Sequence, residues 1–157
     1  MITCRFEDNG TSSRLRHLTV DAVLHDDAGN VLLVHRAAHL TEGGKWALVG
    51  GYMERDETAA EAIRREILEE TGYSCAEPRC LAVVTNPLRS GDDRQSVTLL
   101  FAARAGELVG EPDDESTQVR WFDQATLDRT ELAFDHAALV DVYRQHAKGQ
   151  LTAPVIM

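Results

Sequence analysis

The sequence has no apolar run near the roughly 18 residues that a membrane-spanning helix needs, so no membrane association is expected. Its opening residues, MITCRFEDNGTSSRLRH, lack the apolar centre of a secretory signal, and the cytoplasm is the expected location. Cysteine is scarce and odd in number. Cys4, Cys75 and Cys80 fit reduced thiols, and the spacing of the last two matches no zinc-ligand pattern. Positive charge is short as well: 16 Lys and Arg face 26 Asp and Glu, for a net charge of −10. An acidic surface repels a phosphate backbone, which argues against nucleic acid as a partner. It also repels a free diphosphate, so cations and a few local arginines have to attract any phosphate-bearing ligand. Repeats, low-complexity tracts and linkers are absent, and residues 1–157 read as a single domain with its own core.

What is present is a layered α/β pattern. Residues 1–14 are polar and read as a loose end or an edge hairpin. Leu18–Leu24 and Val31–Val34 read as strands joined through the Asp-Asp-Ala-Gly-Asn turn. Cys80–Thr85, Val97–Ala103 and Val119–Phe122 read as further strands, with polar loops at 86–96 and 106–117. A helical turn is expected at Gln124–Leu127 and a closing helix at His136–Lys148. Strands, a helix, more strands and a final helix predict a mixed sheet covered on both faces.

The most informative stretch is Gly51–Tyr73, GYMERDETAAEAIRREILEETGY. Thr58 with Glu61 forms a capping-box signature, and Gly72 supplies a C-terminal stop. Ala59, Ala60, Ala62, Ile63, Ile67 and Leu68 make an apolar stripe near the helical period. Glu66, Glu69 and Glu70 stand at i, i+3 and i+4 on one face. Like charges at that spacing weaken a helix by roughly 0.2–0.5 kcal/mol per pair. Hard dications such as Mg²⁺ take oxygen ligands and bridge carboxylates to phosphates, which would turn that repulsion into a binding site.

These residues resemble the Nudix box, G-x5-E-x7-R-E-U-x-E-E-x-G-U with U a bulky apolar residue: Gly51, Glu57, Arg65, Glu66, Ile67, Glu69, Glu70, Gly72 and Tyr73 occupy its fixed positions. The preceding Trp46-Ala47-Leu48-Val49-Gly50-Gly51 is similar to the family's W-x-x-P-G-G approach, with Val49 in place of Pro. The resemblance implies the Nudix fold, an α/β/α sandwich with a mixed central sheet. It further implies Mg²⁺- or Mn²⁺-dependent attack of water on a nucleoside diphosphate linked to another group. By the same resemblance Glu66, Glu69, Glu70 and the Gly50 carbonyl are the expected metal ligands. Gly51, Glu57, Arg65 and Gly72 are the expected structural members, Arg65 gripping Glu57 through its planar fork.

The general base is open between Glu66 or Glu69 and a downstream acid. Glu115, six residues before Trp121, is the best positional match, with Glu111, Asp113 and Asp114 as rivals. Arg36, Arg89, Arg94 and Phe134 are the candidate substrate contacts, although core packing is the readier reading of Phe134. His136 reads as a helix-start residue, and Trp46 and Trp121 as core. Pro87, fourteen residues past Tyr73, stands near the place of the family's ADP-ribose marker proline. A nucleotide sugar such as ADP-ribose, cleaved to NMP and a sugar phosphate, is therefore the favoured substrate. A house-cleaning hydrolase of (oxidised) nucleoside triphosphates is the alternative, and a non-catalytic nucleotide-sensing module is the alternative of another class. The partner expected in each case is a small nucleotide, and a homodimer is left open.

Overall fold

The computed structural model describes residues 2–89, 95–152 and 154–157. A hairpin of β1 (Ile2–Arg5) and β2 (Ser12–Leu15) forms a sheet of its own. The main sheet is built from β3 (Leu18–His25), β4 (Val31–Arg36), β5 (Trp46–Ala47), β6 (Val49–Tyr52), β7 (Tyr73–Cys75), β8 (Arg79–Val84), β9 (Val97–Leu108), β10 (Ser116–Phe122) and β11 (Val155–Ile156). Helix α1 (Ala59–Thr71) lies between β6 and β7 in the chain, and α2 (His136–Ala147) between β10 and β11. The strand order is β10-β4-β3-β9-β8-β11, with β5 beside β4, β6 beside β3 and β7 beside β9. The β3–β9 and β8–β11 pairs are parallel and the others antiparallel, so the sheet is mixed.

Side chains alternate across a strand, and here each face has its own helix. On β4, Val31 and Leu33 pack with Leu139, Val140, Val142 and Tyr143 of α2. Leu32 and Val34 pack with Ala62, Ile63 and Ile67 of α1. Ile63 and Ile67 are fully buried, a contribution of about 1.5–3 kcal/mol each. Leu68, counted in the apolar stripe, instead lies exposed, outside the arc that meets the sheet. The capping box at Thr58 and Glu61 is present, and Gly72 closes α1 in the left-handed conformation at φ 74°.

The site is positioned by a fork. β3 and β4 pair only at Leu24–Leu32 and His25–Val31, then diverge. The segment through Trp46–Tyr52 enters the gap, β5 hydrogen-bonding to β4 and β6 to β3. Extended pairing there, and in β7 after Gly72, was not foreseen from residues that read as glycine-rich loop or box terminus. β9 also runs on to Leu108, into the stretch expected to be loop, because β7 pairs with it. Residues 124–126 form a turn rather than a helical one, and a 3-10 turn follows at Arg129–Glu131. Asp123 and Asp128 explain both: each carboxylate accepts the amide two residues on, at 2.8 and 2.9 Å.

Candidate active site

Gly50 and Gly51 bring backbone and helix together. A side chain at Gly50 would collide with the Val20 carbonyl oxygen and with Asp21 Oδ1 of β3. At Gly51 a Cβ would lie 2.5 Å from Glu66 Oε1, so a side chain there would push that carboxylate away from β6. The Gly50 amide donates to Glu70 Oε2 at 3.1 Å, a second tie between the same strand and helix.

Arg65 organises the acidic side. Its guanidinium grips Glu57 through two bonds, Nε to Oε2 at 3.1 Å and Nη2 to Oε1 at 2.8 Å, as the sequence led us to expect. Beyond that expectation, Nη1 donates to Glu66 Oε1 at 2.8 Å and to Glu69 Oε2 at 2.9 Å, and Nη2 to the Tyr52 carbonyl at 3.0 Å. The guanidinium holds the Glu57 carboxyl below the usual range. Burial outweighs that help at Glu66, whose pKa is raised by desolvation. Glu70 is 5% exposed, and desolvation lifts its pKa well above the ordinary carboxylate value against the single amide it receives from Gly50. All three glutamates sit towards the C-terminal, negative end of the helix dipole, and the last turn of α1 has no basic residue.

Among the described residues, no three carboxylate, imidazole or thiol groups already converge on one point as a formed metal cluster. Glu66 and Glu69 turn towards Arg65, and Glu70 towards the Gly50 amide. The donor set nevertheless suits a hard dication: all oxygen, adjacent, desolvated at Glu66 and Glu70, and at the wrong end of a helix for anions.

A cavity of about 430 Å³ opens in the fork. Glu66, Glu69, Glu70 and Glu115 line it together, as does Asp113; the rivals Glu111 and Asp114 do not. Glu115 is placed by the bond from the Ala37 amide to its carbonyl, 3.0 Å, and by its own amide on Asp113 Oδ1, 3.0 Å. Arg36, Arg89 and Phe134 line the cavity as well, whereas Arg94 lies outside the described residues. Arg36 Cζ stands 5.0 Å from the centre of the Phe134 ring, and Arg36 Nε donates to the Thr41 carbonyl at 2.9 Å. Phe134 is half-buried and held at φ 52°, a strained backbone for an aromatic residue; it packs against the α1-side core and also lines the cavity.

The same cavity holds a polar group whose assembly sequence reading missed. Arg89 grips Asp135 with two bonds, Nε to Oδ2 at 2.6 Å and Nη2 to Oδ1 at 2.7 Å, and Nη1 donates to the Thr98 hydroxyl. Asp21 on β3 faces this pair, with Oδ2 3.8 Å from Arg89 Nη2. Its pKa is raised to about 7, by burial first and with Asp135 adding to it, against the pull of Arg89. His136 starts α2, as expected, but also lines the cavity. It is buried, and desolvation pushes its pKa down to about 3, so it is neutral. The one signal for this group was Asp21 itself, a lone acid inside the apolar run LTVDAVL.

Comparison with known proteins agrees with this arrangement. The chain matches the NUDIX domain over residues 15–143. It is 35% identical over 140 residues to human 8-oxo-dGDP phosphatase NUDT18, covering 85% of this chain and 41% of that protein. It is 32% identical over 133 residues to the ADP-ribose pyrophosphatase of Methanocaldococcus jannaschii, covering 84% and 75%. Among solved structures, the NUDIX domain of Shewanella oneidensis NrtR in complex with ADP ribose superposes with a TM-score of 0.74 at 31% identity, over 86% of this chain and 90% of that one. The chain thus spans about two fifths of its human relative and three quarters of the archaeal one. A glycine fork that admits a helix of spaced glutamates, and a family match over residues 15–143, lead to one assignment: the chain belongs to the Nudix family.

Proposed function

We propose that this protein is a divalent-metal-dependent pyrophosphohydrolase that cleaves a nucleoside diphosphate linked to another group into NMP and a phosphorylated product, with ADP-ribose or a similar nucleotide sugar favoured. The observation that carries this reading is the mixed lining of the cavity: Glu66, Glu69, Glu70 and Glu115 share it with Arg36, Arg89 and Phe134. Glu66, Glu69, Glu70 and the Gly50 carbonyl would hold Mg²⁺ or Mn²⁺. When bound, the dication neutralises phosphate oxygens and lowers the pKa of water. Glu115, which lines the cavity with Asp113, would take the proton from the attacking water. Arg36 supplies positive charge for the phosphates, and its contact with Phe134 leaves an aromatic face beside it for a base. Arg65 keeps Glu57, Glu66 and Glu69 in register so that helix and loop approach the substrate as one piece.

The archaeal relative's ADP-ribose activity and the ADP-ribose complex of the NrtR domain support the nucleotide-sugar reading. The human relative supports a second, an oxidised nucleotide such as 8-oxo-dGDP. The complete glutamate set weighs against a sensing module without turnover. A Mg²⁺-dependent hydrolysis screen over nucleotide sugars, dinucleotides and nucleoside di- and triphosphates, with products identified, tests the reading. AMP with ribose phosphate supports it, NMP with phosphate or pyrophosphate supports the second, and no phosphoanhydride cleavage with either metal refutes both.

A further inference from the structure

The cavity wall also contains two polar groups that meet across a gap. The Leu48 amide donates to His136 Nδ1 at 2.9 Å. An imidazole nitrogen that accepts a hydrogen bond carries no proton, so in the neutral ring the proton is on Nε2. No hydrogen bond from that N–H to a described residue is formed, and Asp21 Oδ2 lies 3.9 Å from it. Asp21 in turn accepts no hydrogen bond from any described residue, with Arg89 Nη2 at 3.8 Å. His136 is 4% exposed, and both residues line the cavity.

A donor and an acceptor about 4 Å apart are too distant to bond each other, yet one oxygen can lie within about 2.8 Å of both. With Asp21 ionised, that oxygen has to accept from His136 and donate to Asp21. A hydroxyl does both; a phosphate oxygen cannot donate, and an ammonium cannot accept. The Leu48 amide fixes the imidazole, and the bidentate Arg89–Asp135 pair stands beside Asp21.

We infer that Asp21 and His136 form a subsite for a sugar hydroxyl of the substrate, making this chain selective for ribosyl over deoxyribosyl nucleotides. The inference rests on reading the cavity as a nucleotide site, but not on turnover. A buried donor and acceptor left unpaired by a missing hydroxyl penalise the deoxy ligand more than a lost surface contact would.

The test is calorimetric binding of ADP-ribose and of analogues each lacking one sugar hydroxyl, to the full chain, in EDTA and again with Ca²⁺ in place of Mg²⁺. One analogue is expected to bind about tenfold more weakly than ADP-ribose. Asp21→Ala is expected to reduce that ratio to less than twofold, and Asp21→Asn, which preserves the shape, to an intermediate value. Thermal melting establishes that each variant is folded; where Asp21→Ala is not, Asp21→Asn alone carries the comparison. Equal binding of every analogue overturns the inference, as does a ratio unchanged in the folded variant or no binding in either solution. Failure of the hydrolase reading shows separately, as absent cleavage in the product screen.

Discussion

The two walls of the cavity are built in opposite ways. The glutamate wall comes from one helix and the strand before it, so its spacing is written in a single run from Gly50 to Glu70. The other wall draws Thr19 and Asp21 from β3, Arg89 from a loop, Thr98 from β9 and Asp135 and His136 from the start of α2. On the first, one guanidinium ties three carboxylates on the helix and its approach loop. On the second, pairing is uneven: Arg89 and Asp135 satisfy each other, while Asp21 and His136 are left desolvated and apart. The first wall has the charge density for a dication and for chemistry. The second has the polar, sheltered character suited to recognition.

That division makes the largest expected effect a catalytic one on the helix side. Glu66→Gln and Glu69→Gln should each lower kcat by more than about a hundredfold, since even partners that only orient metal ligands cost 10–100-fold when removed. Melting in EDTA should not fall, because each change takes a charge out of a crowded acidic set. Substantial turnover at saturating Mg²⁺ would place the chemistry elsewhere. Glu115→Gln should cost on the order of a hundredfold in kcat with little change in KM. A near-normal kcat would return the role of base to the helix or to Asp113.

A smaller effect tests the structural half of the same wall. Arg65 makes five hydrogen bonds, two of them the parallel pair to Glu57. Lysine keeps the charge but cannot reproduce the fork. Arg65→Lys should lower stability by about 2 kcal/mol in urea titration, several bonds to charged groups being lost from a partly buried site. A loss below about 0.5 kcal/mol would show that the carboxylates, not the arginine, set the loop.

The difference between the walls also explains what could be seen beforehand. Thr58 and Glu61, Gly72, and the glutamate face were all visible because helix caps and i, i+4 neighbours are local rules. Arg65 reaching Glu66 and Glu69 as well as Glu57 was not, since side-chain direction decides it. Asp21, Asp135 and His136 could not be assembled: their proximity depends on β3 leaving β4 after two residue pairs and on α2 beginning beside the fork. Phe134 was open between core and ligand because its left-handed backbone has no glycine or asparagine to announce it. Even so, a charged residue amid LTVDAVL was a mark that burial had to answer for.

The smallest effect tests the recognition wall through protons. For Asp21 the folded pKa is raised to about 7, by burial first, with Asp135 and Glu66 adding to it and Arg89 and Arg36 opposing. The folded state therefore binds a proton that the unfolded chain releases, and stability grows as pH falls below 7. For His136 the folded pKa is depressed to about 3, so the unfolded chain takes up the proton first, and stability falls as pH drops through 6.5. Between pH 6.5 and 5.5 the two terms, each about 1 kcal/mol by proton linkage, have opposite signs and nearly cancel. Asp21→Asn removes one and leaves the other. Over that interval in EDTA, the variant should lose about 1 kcal/mol relative to the wild-type change, measured as unfolding free energy in urea at both pH values. Parallel pH dependences for the two proteins would mean that Asp21 is charged and solvated in the folded state, and that both walls meet water on similar terms.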